Sequence, residues 1–159
     1  MVILGIDPGT ASTGYGLIKI KEKKQKAIEY LACDVIHTSP KSNKGERLKK
    51  INQELSKIIK EYQPQVLVFE KLFFFRNFKT AIPVSQAQGV VILTAAKKNL
   101  PIYEFTPLEV KLTITGSGKA DKKEVQKKLK KLLNLKTIPK EDDAADALAV
   151  ALTYFLKVC

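Results

Sequence analysis

Histidine is nearly missing from this chain, and the single His37 removes a branch of chemistry. An imidazole paired with a nucleophile, or zinc held by several histidines, needs more than one well-spaced ring to be a credible reading. Cysteine is as scarce. Cys33 and Cys159 lie far apart with no ligand spacing, so reduced structural thiols are expected rather than a zinc site or a disulfide framework. No apolar run nears the ~20 residues that cross a bilayer. The N-terminal stretch lacks the basic start and small-residue cleavage site of a secretion signal, so the expected location is cytoplasmic. Arginine is reduced to Arg47 and Arg76.

Lysine fills the gap. The 159 residues carry 28 Lys+Arg against 16 Asp+Glu, a formal net charge of +12, and a pI of about 9.6. Such a balance points to a nucleic-acid partner. Lysine meets phosphate as a point charge, whereas paired reading of guanine is mainly arginine's work, so backbone-dominated binding is expected. Residues 111–140 concentrate the charge: ten lysines against Asp121 and Glu124 supply +8 of the +12. The plainer reading is a solvated, lysine-rich surface with no ligand, and some of these lysines serve only that.

The most informative stretch is Val2-Ile3-Leu4-Gly5-Ile6-Asp7, followed by Pro8-Gly9-Thr10. An unbroken apolar run is the signature of a strand buried on both faces, at the centre of a sheet. Asp7 then sits at the edge of an apolar core, where an ionised carboxylate needs a proton, a basic partner or a metal. The alternative is a simple Asp-Pro-Gly turn. Strands are also expected over residues 14–20 and 26–36, joined through the lysine-rich turn 21–26 into an antiparallel trio. Helical spacing of Leu48, Ile51, Leu55, Ile58 and Ile59 predicts an amphipathic helix over 45–62, stopped by Pro64. Val66-Leu67-Val68-Phe69-Glu70 repeats the first pattern, a buried strand with an acid at its exit. Reached through a helix, it should lie parallel to the first strand and place Asp7 and Glu70 at one sheet edge.

Beyond the loop Phe73-Phe74-Phe75-Arg76-Asn77, the pattern predicts a helix over 81–99 and a short strand over 102–105. A helical segment then runs through Val110, Gly116-Ser117-Gly118 forms a hinge, and an apolar stripe lies under dense lysine over 121–135. A last helix over 142–156 carries Asp143 and Asp146 at i and i+3, hence on one face. Acids in a first turn complement the helix dipole, which accounts for Glu141 and Asp142 but not for Asp146. Spacing alone leaves Asp142, four residues before Asp146, as a possible member of the same face. Four acids with no histidine or cysteine suit Mg²⁺ or Mn²⁺ through oxygen ligands alone, and in a basic protein suggest metal-assisted attack on a phosphodiester. The element order predicts a single α/β domain with a mixed sheet.

These residues resemble the RuvC-type Holliday junction resolvases of bacteria. The likeness is carried by Gly5-Ile6-Asp7-Pro8-Gly9 with Gly14-Tyr15-Gly16, and by Phe69-Glu70 with the phenylalanine loop. It continues through Gln86-Ala87-Gln88-Gly89-Val90, Pro107 with Val110-Lys111, and Asp143-Ala144-Ala145-Asp146-Ala147-Leu148-Ala149. The resemblance implies one RNase H-like nuclease domain over 1–159, with a five-stranded mixed sheet of three antiparallel strands then two parallel ones. It implies a homodimer that nicks opposed strands of four-way junction DNA in recombination and repair, leaving 5′-phosphate and 3′-hydroxyl ends, alongside the RuvA–RuvB branch-migration complex. The catalytic and metal-binding carboxylates map onto Asp7, Glu70, Asp143 and Asp146, with two Mg²⁺ ions per site and Mn²⁺ able to substitute. In this mapping Asp7 bridges both ions. Asp143 and Asp146 hold the ion of the attacking water, and Glu70 the ion at the leaving 3′-oxygen. The base-stacking aromatic maps onto Phe73 or Phe74, next to Arg76 and Asn77, and the basic positions onto Lys111 and Lys122. Lys119, like Lys122 close to the glycine hinge, is a further phosphate candidate. Two rivals are a catalytically inactive junction-binding module and an actin-like phosphotransferase, whose phosphate loop also starts with a strand-end Asp and glycines. The latter needs two such lobes.

Overall fold

The structure, a computed structural model, describes residues 1–21, 27–71 and 78–159, the side chains of 78–80 excepted. Its centre is β1 (Val2–Asp7), which pairs antiparallel with β2 (Ser12–Lys21) on one side and parallel with β4 (Val66–Glu70) on the other. β3 (Ala27–His37) extends the antiparallel half and β5 (Ile102–Phe105) the parallel half, giving the order β3-β2-β1-β4-β5. Both faces of β1 are covered, as an unbroken apolar run requires. Ile3 packs with Ile18, Val68, Leu148 and Leu152 in one core, while Leu4 and Ile6 pack with Leu17, Leu55, Leu67 and Phe69 in the other.

Each core is closed by helices on its own face. On the Leu4 side, α1 (Lys44–Tyr62) buries Ile51, Leu55, Ile58 and Ile59, and α2 (Phe78–Ala96) adds Val91 and Ala95. A reciprocal capping box between Asn43 and Glu46 starts α1, and Gln63 in the left-handed region ends it before Pro64. On the Ile3 side lie α3 (Pro107–Thr115), α4 (Lys122–Leu132) and α5 (Asp142–Val158). α5 is apolar for most of its circumference, with Ala144, Ala145 and every residue from Ala147 to Tyr154 buried. A helix so enclosed is the core element of its layer.

Several boundaries differ from the sequence expectation. β3 carries a bulge where the register shifts opposite Leu17 and Ile18: Leu17 pairs with Ala32 but Ile18 with Tyr30, so Leu31 is an extra residue. The bulge turns the strand, leaving Ile28 on one core, Leu31 on the other and Tyr30 exposed. α2 starts and ends three residues earlier than expected, and holds Pro83 within its early turns. α3 runs on past Val110 to Thr115, with Thr106 and Glu109 forming its capping box. Gly116 is its left-handed C-cap (φ 81°), so the expected hinge is first of all a helix stop.

Candidate active site

Strand pairing alone brings two of the expected acids together. Ile6 is in register with Phe69, so Asp7 and Glu70 follow at the same edge of two adjacent parallel strands. The other two arrive on α5, whose distance from the sheet is set by the glycines of β1 and β2. A Cβ on Gly5 would stand 2.0 Å from the Ala147 carbonyl oxygen, and one on Gly14 would stand 2.0 Å from that of Asp143. Only a bare backbone admits a helix this close. The alanines of Asp143-Ala144-Ala145-Asp146-Ala147 do the same from the other side.

The consequence is electrostatic. Burial, followed by the charges of Asp146, Asp143 and Glu70, pushes the Asp7 carboxyl up from 3.8 to about 7, against a smaller opposing pull from Lys122. Burial and then Asp146 raise Glu70 to about 7, with Lys111 and Lys122 working against them. Burial also raises Asp146, opposed by its hydrogen bond from Lys122. Asp7, Glu70 and Asp146 are thus held in surroundings that disfavour their charge. Asp7 therefore stands among further carboxylates that disfavour its charge, which sharpens its need for a proton, a basic partner or a metal.

The helix acids have individual partners. Ser12 at the start of β2 donates its hydroxyl to Asp143 Oδ2, and Lys122 Nζ lies 2.9 Å from Asp146 Oδ2. Lys122 also lies 3.2 Å from Asp142 Oδ2, whose Oδ1 accepts from Gln126 Nε2 at 3.0 Å. Asp143 is among the charges that act on Asp7, whereas Asp142 is engaged by Lys122 and Gln126. Ser12 and Gln126 were not readable as site residues: their partners lie 131 and 16 residues away, with no local pattern linking them.

Glu70 and Asp146 face a cleft of about 290 Å³, whose walls include Lys111, Lys122, Pro107, Val110 and Val125. Lys111 and Lys122 thus stand where a phosphate entering the cleft would meet them. Lys119 is exposed and does not line it. Phe73, Phe74, Arg76 and Asn77 lie outside the described residues. Among the described residues no group of three acids, histidines or cysteines is drawn close enough together to hold a metal ion as it stands. The donor set nevertheless fits a hard divalent cation: oxygen ligands only, with two carboxyls raised to about 7 by burial and mutual repulsion that such an ion would relieve.

A mixed sheet in this order, with acids at the ends of two central strands and on the helix packed across them, belongs to the RNase H-like class. Within that class the chain belongs to the RuvC family, whose family model, described as crossover junction endodeoxyribonuclease RuvC, matches residues 3–154. Over 157 residues the chain is 52% identical to the crossover junction endodeoxyribonuclease RuvC of Caldicellulosiruptor saccharolyticus, covering 98% of this chain and 93% of that one. The structure of Thermus thermophilus RuvC matches with a TM-score of 0.90 and 33% identity, over 98% of this chain and 94% of that one. T. thermophilus RuvC in complex with Holliday junction substrate matches at 0.87 and 30%, over the same shares. The RNase H-like fold and the five-stranded mixed sheet read from the sequence are thereby confirmed.

Proposed function

We propose that this chain is a crossover junction endodeoxyribonuclease that resolves four-way DNA junctions by metal-dependent nicks on opposed strands. The observation that carries the reading is that Asp7 and Glu70 leave adjacent parallel strands at one sheet edge, with Asp143 and Asp146 of α5 close enough to act on Asp7. Asp7, Glu70, Asp143 and Asp146 would hold two Mg²⁺ ions, with Mn²⁺ as a substitute. Such ions supply a water nucleophile at neutral pH and stabilise charge on the phosphate. The protein's own part is to hold the oxygens in place: Ser12 fixes one oxygen of Asp143, and the strands fix Asp7 against Glu70. Asp7, at the centre of the set, is the candidate bridge between the ions. Lys111 and Lys122 would bind the phosphate that enters the cleft, Lys119 a neighbouring phosphate outside it, and Phe73 or Phe74 would stack on junction bases with Arg76 and Asn77 close by.

Residues 1–159 would act as a single nuclease domain in a homodimer, since two opposed nicks require two sites. α2 supports this reading. Ile82, Ile92 and Leu93 are exposed on a helix that carries almost no charge, a surface suited to a second copy of the chain. A cytoplasmic setting and cooperation with the RuvA–RuvB branch-migration complex complete the proposal. Asp7→Asn tests the chemistry. It should abolish paired nicking of a synthetic four-way junction in Mg²⁺ and leave junction affinity within a fewfold of the parent. Continued nicking would remove Asp7 from the reaction.

A further inference from the structure

Asp142 stands beside the acid cluster without belonging to it. Its side chain is 64% exposed, it lies at the first position of α5, and it does not line the cleft that holds Glu70 and Asp146. It shares Lys122 with Asp146, because acids at i and i+4 on α5 face the same ammonium, which lies between them at 3.2 and 2.9 Å. Its second oxygen is held by Gln126, one turn after Lys122 on α4, so the carboxylate is fixed at both ends to the helix that carries the lysine.

An ammonium on Asp146 and a divalent cation on Asp146 compete for the same oxygens. We propose that Asp142 is a positioning residue: it holds the Lys122 ammonium partly off Asp146, freeing that carboxylate for a divalent cation while keeping the lysine next to the cleft. The inference rests on the reading of Asp146 as a metal ligand. It assigns Asp142 a role that neither helix capping nor ligation supplies. Without Asp142, Asp146 is the one ion-pair partner left to Lys122 among the described residues, and the lysine competes with the metal more strongly. Without Lys122, the competition ends and Asp142 has nothing to position.

The test is Mn²⁺ binding to the DNA-free protein by isothermal titration calorimetry, with folding checked by circular dichroism. Asp142→Asn should weaken Mn²⁺ binding about two- to fivefold, the scale of one exposed ion pair. Lys122→Met should tighten it by a similar factor, and Asp142→Glu should bind as the parent does. The decisive protein is the double variant. If Asp142 acts through Lys122, adding Asp142→Asn to Lys122→Met changes nothing. Should Asp142→Asn weaken binding equally in both backgrounds, Asp142 acts only as a remote charge and the proposal fails. It fails also if Asp142→Asn binds Mn²⁺ like the parent. Asp146→Asn separates the two levels: unchanged Mn²⁺ binding there would overturn the ligand assignment itself, whereas lost binding with a silent Asp142→Asn overturns only the positioning role.

Discussion

The closeness of α5 to the sheet can be broken with one methyl group. Gly14→Ala would put a Cβ 2.0 Å from the Asp143 carbonyl oxygen, 2.3 Å from its carbon and 2.9 Å from the Ala144 nitrogen. All three atoms are backbone, so no side chain can swing away. Restoring ordinary contact at 3.4 Å requires the helix, the strand or both to give roughly 1.4 Å. Overpacking of a tight core costs about 1–3 kcal/mol, and a catalytic group misplaced by about 1 Å can lower a rate ~10²-fold. Both effects should appear together here, because the helix that must retreat carries Asp143 and Asp146. Chemical denaturation of Gly14→Ala should therefore show a lower midpoint with an unchanged slope, and single-turnover junction cleavage should fall by about 10²-fold. Gly89→Ala is the control: nothing lies within 4 Å of its added Cβ, and replacing glycine inside α2 should stabilise by about 0.5–1 kcal/mol. A Gly14→Ala protein of parental stability that cleaves within twofold of the parent would refute the claim that glycine spacing sets the site.

The same site predicts a stability that depends on pH. The Asp7 carboxyl is raised by burial and its acidic neighbours from 3.8 to about 7, so the folded state binds the proton more tightly than the unfolded state. Stability of the parent, measured with chelator present, should fall as pH rises from about 4 to about 7. Asp7→Asn should remove much of that fall and be the more stable protein at pH 8; a parental pH profile in Asp7→Asn would show that Asp7 is not the strained group. Junction affinity should decline with salt by a slope of about −0.9 per phosphate neutralised. Gln at Lys127, Lys128 and Lys131 together should flatten that slope if α4 tracks DNA, and an unaltered slope would confine DNA contact to other lysines.

What the sequence reveals here is what leaves a local trace. β1 and β4 each show an apolar run ended by an acid, and the helix between them forces their parallel pairing, so Asp7 and Glu70 could be placed at one edge from spacing alone. Asp143 and Asp146 are legible because i and i+3 share a face. The bulge at Leu31 left no such trace, since it is marked by neither glycine nor proline and follows from how β3 must bend beside β2. Gly116 was visible but ambiguous: one glycine serves a hinge and a helix C-cap equally well, and only its φ of 81° with its N–H on the Leu112 carbonyl decides. The contacts of Ser12 with Asp143 and of Lys122 with Asp142 join residues that periodicity cannot relate.

Two charge patterns of opposite sign meet in this molecule, and their ranges differ. In the proposed function the lysines of residues 111–140 would act on DNA across the ~8–10 Å over which salt leaves charges visible, and would gather the polyanion without reading its sequence. At the cleft the sign reverses, because an arriving phosphate would meet Asp7, Glu70 and Asp146, whose charge their surroundings already disfavour. Attraction at long range and repulsion at short range would stall a substrate at the rim. Lys111 and Lys122, which line the same cleft as Glu70 and Asp146, together with a divalent cation held there, would turn the last few ångströms favourable. The lysines near the acids should therefore matter to the reaction in a way that those further along α4 do not. Lys122→Gln should cut cleavage far more than it cuts binding, while changes at Lys127, Lys128 and Lys131 should cut binding alone.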